Sequence, residues 1–272
     1  MRVAFIGGGN MTTSLVGGLV RRGTEPGSLT VSDPMPAQVE RLAREFGVRG
    51  VADNREAVRE AELVVLAVKP QQMAEVVCGI APQLAERHPI VVSIAAGIRL
   101  ADLARWLGAG MPIVRTMPNR PALIGAGITA LYADSGVTTH DRDLVEVLMS
   151  AAGATVWLDE ESQMDLVTAI SGSGPAYFFL LIEALEAAGI ASGMPASTAR
   201  RLAVATARGA GLMAAESDEA PAELREQVTS KGGTTEAALE VLEAAEVRDA
   251  FKRAVAAATR RSAQLADEFG GT

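Results

Sequence analysis

The chain has 272 residues, 49% of them hydrophobic and 21% charged, with one cysteine, two histidines and a formal net charge of −8 at pH 7. That length predicts two domains with sizeable cores, and the acidic balance argues against nucleic acid or an anionic membrane surface as main partner. The lone Cys78 excludes an intrachain disulfide, and so few Cys and His side chains make a Cys/His metal site implausible. The most apolar helix candidate, from Ala176 to Ile182, soon meets Glu183 and Glu186 and falls short of about 18 uninterrupted apolar residues, so no membrane span is expected. Met1-Arg2 leads straight into a short strand, without a signal-peptide pattern. These features predict a cytoplasmic enzyme.

Residues 2–6 form a short apolar run, followed by Gly7-Gly8-Gly9-Asn10-Met11-Thr12 and by Leu15, Leu19 and Val20 at helical spacing. Strand, glycine loop and helix together are the context in which a G-x-G motif points to a dinucleotide. Gly7 makes the tight turn and Gly9 admits a pyrophosphate to the helix N-terminus. The third fingerprint position is Thr12 instead of Gly or Ala, which predicts slightly looser helix–strand packing. Leu29 to Ser32 reads as a second strand ending in Asp33, about 20 residues after the loop. An acid there either accepts from the adenosine ribose of NAD and repels the extra phosphate of NADP, or, ahead of Pro34, simply turns the chain.

Residues 35–47 read as a helix, and Asn54 starts another, with its side chain a candidate cap. Leu63 to Val68 is a continuous apolar run suited to a buried parallel strand, ending in Lys69-Pro70. Lys69 is a candidate contact to phosphate, ribose or substrate, or a solvated loop charge. Ile90 to Ile94 leads into Ala95-Ala96-Gly97, small enough for a flat nicotinamide ring to lie on the backbone. Further strands are expected at 112–117, 128–132 and 155–158, with a helix over 141–152. This alternation predicts a doubly wound α/β Rossmann domain over residues 1–158, with a mainly parallel sheet.

From residue 159 to 272 an all-α domain is expected, with helices near 161–170, 175–191, 196–216, 221–229, 234–245 and 247–268. Its many Ala and Leu faces predict an oligomer. Thr229-Ser230-Lys231-Gly232-Gly233-Thr234-Thr235 stands directly before one of these helices. A helix start offers unpaired N–H groups and the positive end of the macrodipole, so this is a candidate carboxylate site; the plainer reading is a capped loop.

Acid–base residues are scarce. His88 and His140 sit at a strand entrance and a helix start, and Tyr132 and Tyr177 have no partner pattern beside them. A substrate bringing its own proton, such as a protonated imine, fits that poverty, because the site need only orient it and hold its carboxylate.

Six ordered segments resemble the pyrroline-5-carboxylate reductase family across the whole chain: Phe5 to Met11, Ala67-Val68-Lys69-Pro70, Ser93 to Gly97, Met117-Pro118-Asn119, Ser171-Gly172-Ser173-Gly174-Pro175-Ala176-Tyr177, and Val228 to Ala238. The resemblance implies NAD(P)H-dependent reduction of the C=N bond of 1-pyrroline-5-carboxylate to L-proline. It implies that Ile6, Gly7, Gly8, Gly9, Asn10, Met11, Ser32, Asp33, Asn54, Ala67, Val68, Lys69, Pro70, Ala95, Ala96 and Gly97 hold NADP(H) or NAD(H). Ser230, Gly233 and Thr234 would bind the substrate carboxylate, and Thr235 would bond the ring nitrogen and orient the imine. An active site between the two domains and a homodimer through the helical domain, in many members assembled further into decamers, are implied in the same way. Lys231 and Arg120 depart from the family pattern, standing where Pro and Thr are frequent, and Asp33 leaves coenzyme preference open. Two rivals remain: a β-hydroxy acid dehydrogenase, which needs a catalytic lysine that neither Lys231 nor Lys252 is well placed to supply, and a non-catalytic nucleotide-binding scaffold.

Overall fold

The computed structural model describes residues 1–270. Eight strands form one sheet in the order β3-β2-β1-β4-β5-β6-β7-β8: β1 (Val3–Ile6), β2 (Leu29–Ser32), β3 (Arg49–Val51), β4 (Leu63–Leu66), β5 (Ile90–Ser93), β6 (Ile113–Met117), β7 (Gly127–Ala133) and β8 (Gly153–Trp157). Strands β1 to β6 are parallel; β7 runs antiparallel to β6, and β8 is parallel to β7. The first helices are α1 (Asn10–Arg21), α2 (Pro36–Phe46), α3 (Asn54–Val58), α4 (Met73–Arg87), α5 (Leu100–Leu107) and α6 (Thr139–Ser150).

Every residue of β1, β4 and β5 is buried, which is why these strands read as unbroken apolar runs: both faces are covered. Alternate side chains feed two cores. Val3, Phe5, Val31 and Val65 meet Leu15, Leu42 and Leu148 from α1, α2 and α6. Ala4, Ile6, Val64 and Leu66 meet Val77, Ile80 and Leu103 from α4 and α5. Each fully buried side chain of this size stabilises the fold by about 1.5–3 kcal/mol. The edge strand Arg49–Val51 was not expected from the sequence; it is three residues long, and two of them are exposed.

The remaining helices are α7 (Gln163–Val167), α8 (Gly174–Ala191), α9 (Ala196–Glu216), α10 (Pro221–Gln227), α11 (Thr234–Ala244) and α12 (Val247–Gly270). The expected helices at 161–170 and 175–191 are joined without a break. A π-helical turn, Thr168–Gly172, carries α7 into α8, giving a helical run over Gln163–Ala191. By length and composition alone that run could cross a membrane, although Glu183 and Glu186 interrupt its apolar residues.

Residue contacts divide the chain into two compact units, Met1–Gly172 with the segment from Ala258 onward, and Ser173–Ala257. Composition alone places the change at residue 158. The units differ from that reading because α7, the π turn and the last turns of α12 pack with the sheet. In the second unit, α8 and α9 pack side by side, with Gly189 close to Ala199, and Tyr177 meets Phe251 edge-on at 6.4 Å.

Candidate coenzyme and carboxylate sites

The sheet order reverses between β1 and β4, and a dinucleotide binds outside the carboxyl ends of the strands at such a switch point. The register sets Ile6 beside Ser32 and Leu66, and Leu66 beside Ser93. One edge therefore gathers residues 6–11, Ser32 and Asp33, 67–70 and 95–97. Gly7, at φ +107°, lets the loop pass over the end of β4, where a Cβ would stand 2.7 Å from the Ala67 carbonyl oxygen. Its N–H donates to the Ser32 carbonyl at 2.7 Å. Gly9 caps α1 with no side-chain bond, and a Cβ on it would meet nothing within 4 Å. That free space before an uncapped helix N-terminus fits a pyrophosphate.

Asp33 braces the loop. Its Oδ2 accepts from the Gly8 N–H at 2.8 Å and its Oδ1 from the Met35 N–H at 2.9 Å. Of the two sequence readings, the turn-forming one is thus realised in the hydrogen bonds, and each oxygen keeps a second lone pair for a ribose hydroxyl. Thr12 does not loosen the joint as expected. It is wholly buried, and its hydroxyl donates to the Gly7 carbonyl at 2.6 Å, tying helix to loop. Asn54 is not the cap of α3: Asp53 is, accepting from the Arg55 N–H at 2.9 Å. The Asn54 Oδ1 instead accepts from the Ser32 hydroxyl at 2.7 Å, joining two predicted coenzyme residues.

Residues missed by sequence reasoning also shape this edge. Arg41, a turn beyond Gln38 on α2, donates to Thr13 Oγ1 at 2.9 Å and Gln38 Oε1 at 3.1 Å, bringing a guanidinium to the first turn of α1. Asn119, buried after β6, accepts from the Ile128 N–H at 3.0 Å and donates to the Ser171 carbonyl at 3.2 Å. It pins the π turn close to Met117, whose methyl would stand 2.7 Å from a Cβ on Gly172. A Met-Pro-Asn motif was visible in the sequence, but its partner lies 52 residues away. Lys69 and Arg120 are exposed. His88 and His140 both line a cavity with Met1, Glu62 and Pro112, at the amino ends of β4–β6 and so away from the glycine loop. The Glu62 carboxyl there is held below the usual range, chiefly by the Arg2 N–H, which donates to it at 2.6 Å.

In the second unit the 229–235 loop leads into an uncapped helix N-terminus, the kind of place where an anion can bind. Gly232 takes φ +71°, and the Gly233 N–H closes on the Ser230 carbonyl at 2.9 Å. Gly233 caps α11 without any side-chain bond, so the N–H groups of the first turn at Thr234 and Thr235 have no helical partner. Side chains at these positions leave the end open. Among the described residues, the hydroxyls of Ser230, Thr234 and Thr235 make no protein hydrogen bond, whereas Thr229 Oγ1 is spent on the Arg225 carbonyl at 2.6 Å. Glu236, unremarked in the sequence, reaches back to accept from the Gly232 N–H at 2.6 Å and fixes the loop. Lys231 is exposed. Among the described residues no group of three or more His, Cys, Asp or Glu side chains is arranged to hold a metal.

Residues 161–265 match the family model described as pyrroline-5-carboxylate reductase dimerisation, and residues 2–97 match the one described as NADP oxidoreductase, coenzyme F420-dependent. The chain is similar to the pyrroline-5-carboxylate reductase of Pseudomonas aeruginosa, with 48% identity over 99% of this chain and 98% of that protein. The Vibrio alginolyticus enzyme of the same name is 40% identical over 98% of each chain. Among solved structures, the pyrroline-5-carboxylate reductase of Coxiella burnetii superposes with a TM-score of 0.94 at 39% identity, covering 97% of this chain and 98% of that one. The Plasmodium falciparum pyrroline carboxylate reductase, solved with NADP bound, has a TM-score of 0.85 at 28% identity over 98% of each chain. With a glycine loop at the switch point, an open helix N-terminus ringed by hydroxyls, and relatives matched from end to end, the chain belongs to the pyrroline-5-carboxylate reductase family of nicotinamide-dependent oxidoreductases that act on an imine.

Proposed function

We propose that this chain reduces 1-pyrroline-5-carboxylate to L-proline, the last step of proline biosynthesis, in the cytoplasm, with NADPH or NADH as reductant. The observation that carries the reading is the carboxylate-ready start of α11, where three hydroxyls without protein partners surround unpaired N–H groups. The nicotinamide coenzyme, when bound, supplies the hydride. The chain's own residues do the rest. The Gly7–Met11 loop and the α1 N-terminus receive the pyrophosphate, Ser32, Asp33 and Asn54 the adenosine half, and Ala67–Pro70 with Ala95–Gly97 the nicotinamide half. Ser230, Gly233 and Thr234 hold the substrate carboxylate, and Thr235 bonds the ring nitrogen. No general acid is required, since a protonated imine is already an activated acceptor. Absorbance loss at the nicotinamide band with pyrroline-5-carboxylate tests the reaction; folded protein that binds coenzyme yet oxidises none would overturn it.

Asp33 disfavours the 2′-phosphate of NADPH, while Arg41 offers a cation to it. Asp33→Asn keeps an oxygen for the Gly8 N–H and removes the charge. It is expected to move the ratio of kcat/KM values about tenfold toward NADPH. An unchanged ratio would mean that Asp33 serves the loop alone.

A dimerisation domain spans most of the helical half, so the protein oligomerises. The subunit contact in this reading is made by α8, where Phe178, Leu181 and Leu185 share one exposed face. Its occupant is a second copy of the chain, not lipid or nucleic acid. Phe178→Glu combined with Leu181→Glu is expected to yield monomers by light scattering, whereas detergent-dependent solubility of the unaltered protein would favour lipid.

A further inference from the structure

We propose that the last turns of α12 are a positioning element for the nicotinamide half of the coenzyme, acting through Phe269 and Arg99 on the Ala95–Gly97 segment. The proposal rests on the assignment of that segment made above. Gly97 takes φ +74°, and a Cβ there would lie 3.1 Å from the Phe269 ring, 3.5 Å from the Ala266 nitrogen and 3.5 Å from the Leu265 carbonyl carbon. The segment therefore rests directly on the helix, at a left-handed φ that favours glycine and with the Phe269 ring tight against it. Phe269 also packs against the core that contains Ala95, Ile98 and Leu103.

Polar bonds fix the helix at this place. Arg99, two residues after Gly97, pairs with Asp267 at 2.8 Å. Arg105 donates to the Gly270 carbonyl at 2.5 Å and pairs with buried Asp102 at 3.2 Å, so a cation meets the carbonyl end of α12. Ser262 donates to Asp165 at 2.7 Å. A Cβ on Gly270 would clash with the Asp102 carboxylate. The apolar tip of this array touches Ala95–Gly97, a stretch of the coenzyme edge that bears no side chain larger than methyl.

The test compares two ligands of each variant by titration calorimetry: the whole reduced coenzyme, and ADP-ribose or its 2′-phosphate, which lack the nicotinamide. Phe269→Ala is expected to raise the Kd for the whole coenzyme about tenfold and to leave that for the truncated ligand within about twofold. Phe269→Leu should recover most of the loss. Equal loss for both ligands would show a purely structural role, and no loss for either would remove the role altogether; both overturn the proposal. If Phe269→Ala does not fold, Arg99→Ala carries the same comparison, since that side chain is 41% exposed and its pair lies at the surface. Unaltered protein that binds coenzyme but does not reduce pyrroline-5-carboxylate overturns the proposed reaction while leaving this comparison intact.

Discussion

Gly7→Ala is expected to lose measurable coenzyme binding and to lower stability by about 3 kcal/mol. Two costs add at this position. The φ of +107° lies where L side chains are strained, and the new Cβ would stand 2.7 Å from the Ala67 carbonyl oxygen and 2.9 Å from its carbon. Neither atom can yield, because Ala67 continues a fully buried strand and its N–H is bound to the Ile6 carbonyl at 2.8 Å. Relief must come from the loop, which would lift away and break the Thr12 and Asp33 bonds that shape it. Gly9→Ala is the control, since its Cβ enters free space: it should leave stability within about 0.5 kcal/mol and weaken only coenzyme binding. Denaturant unfolding with coenzyme titration reads both effects, and equal stability losses in the two variants would refute the geometry.

Thr235→Ala is expected to lower kcat roughly a hundredfold with little change in KM, whereas Ser230→Ala should raise KM about tenfold and spare kcat. The difference follows from where each hydroxyl acts. In the proposed reading Ser230 holds a carboxylate that carries the same charge before and during the reaction, so its bond is uniform binding. Thr235, in the same reading, orients the imine nitrogen, whose bonding changes as hydride arrives, so its contribution is felt in the rate. Thr235→Ser, which keeps the hydroxyl, should restore most of the turnover. Unchanged kinetics in Thr235→Ala and Ser230→Ala would remove this loop from the active site. Lys231→Met should only modulate activity; its abolition would point instead to a lysine-dependent dehydrogenase.

Much of this was legible in the sequence, for a physical reason. Strands covered on both faces are almost wholly apolar, so Val3–Ile6, Leu63–Leu66 and Ile90–Ser93 announce themselves, and Gly7 marks a turn that favours glycine. The Thr229–Thr235 loop was equally plain, since glycine and hydroxyl residues before an Ala/Leu run signal a helix start. What escaped was non-local. The Arg49–Val51 strand exists only because β2 offers an edge, and its exposed Arg49 and Gly50 carry no strand pattern. Asn54 looked like a cap, but Asp53 takes that task and leaves it to Ser32. The π turn gives no local sign that Asn119 holds Ser171, 52 residues away. Phe269 follows a long Ala/Arg helix and shows nothing of its contact with Gly97.

Docking of the last turns of α12 beside α5 has a consequence for biosynthesis. Arg105 and Gly270 are 165 residues apart, and the sheet's last strand ends at Trp157. At about 5–20 residues per second, a ribosome that has finished this strand needs on the order of 10 s more to deliver the segment from Ala258 onward. During that interval the sheet can form while Gly97 and the apolar residues after it wait uncovered. Nascent chains of this protein are therefore expected to expose, for that interval, the surface at Gly97 that Phe269 later covers. Closure of the coenzyme unit therefore awaits the whole of Ser173–Ala257, which is made before the segment that completes it.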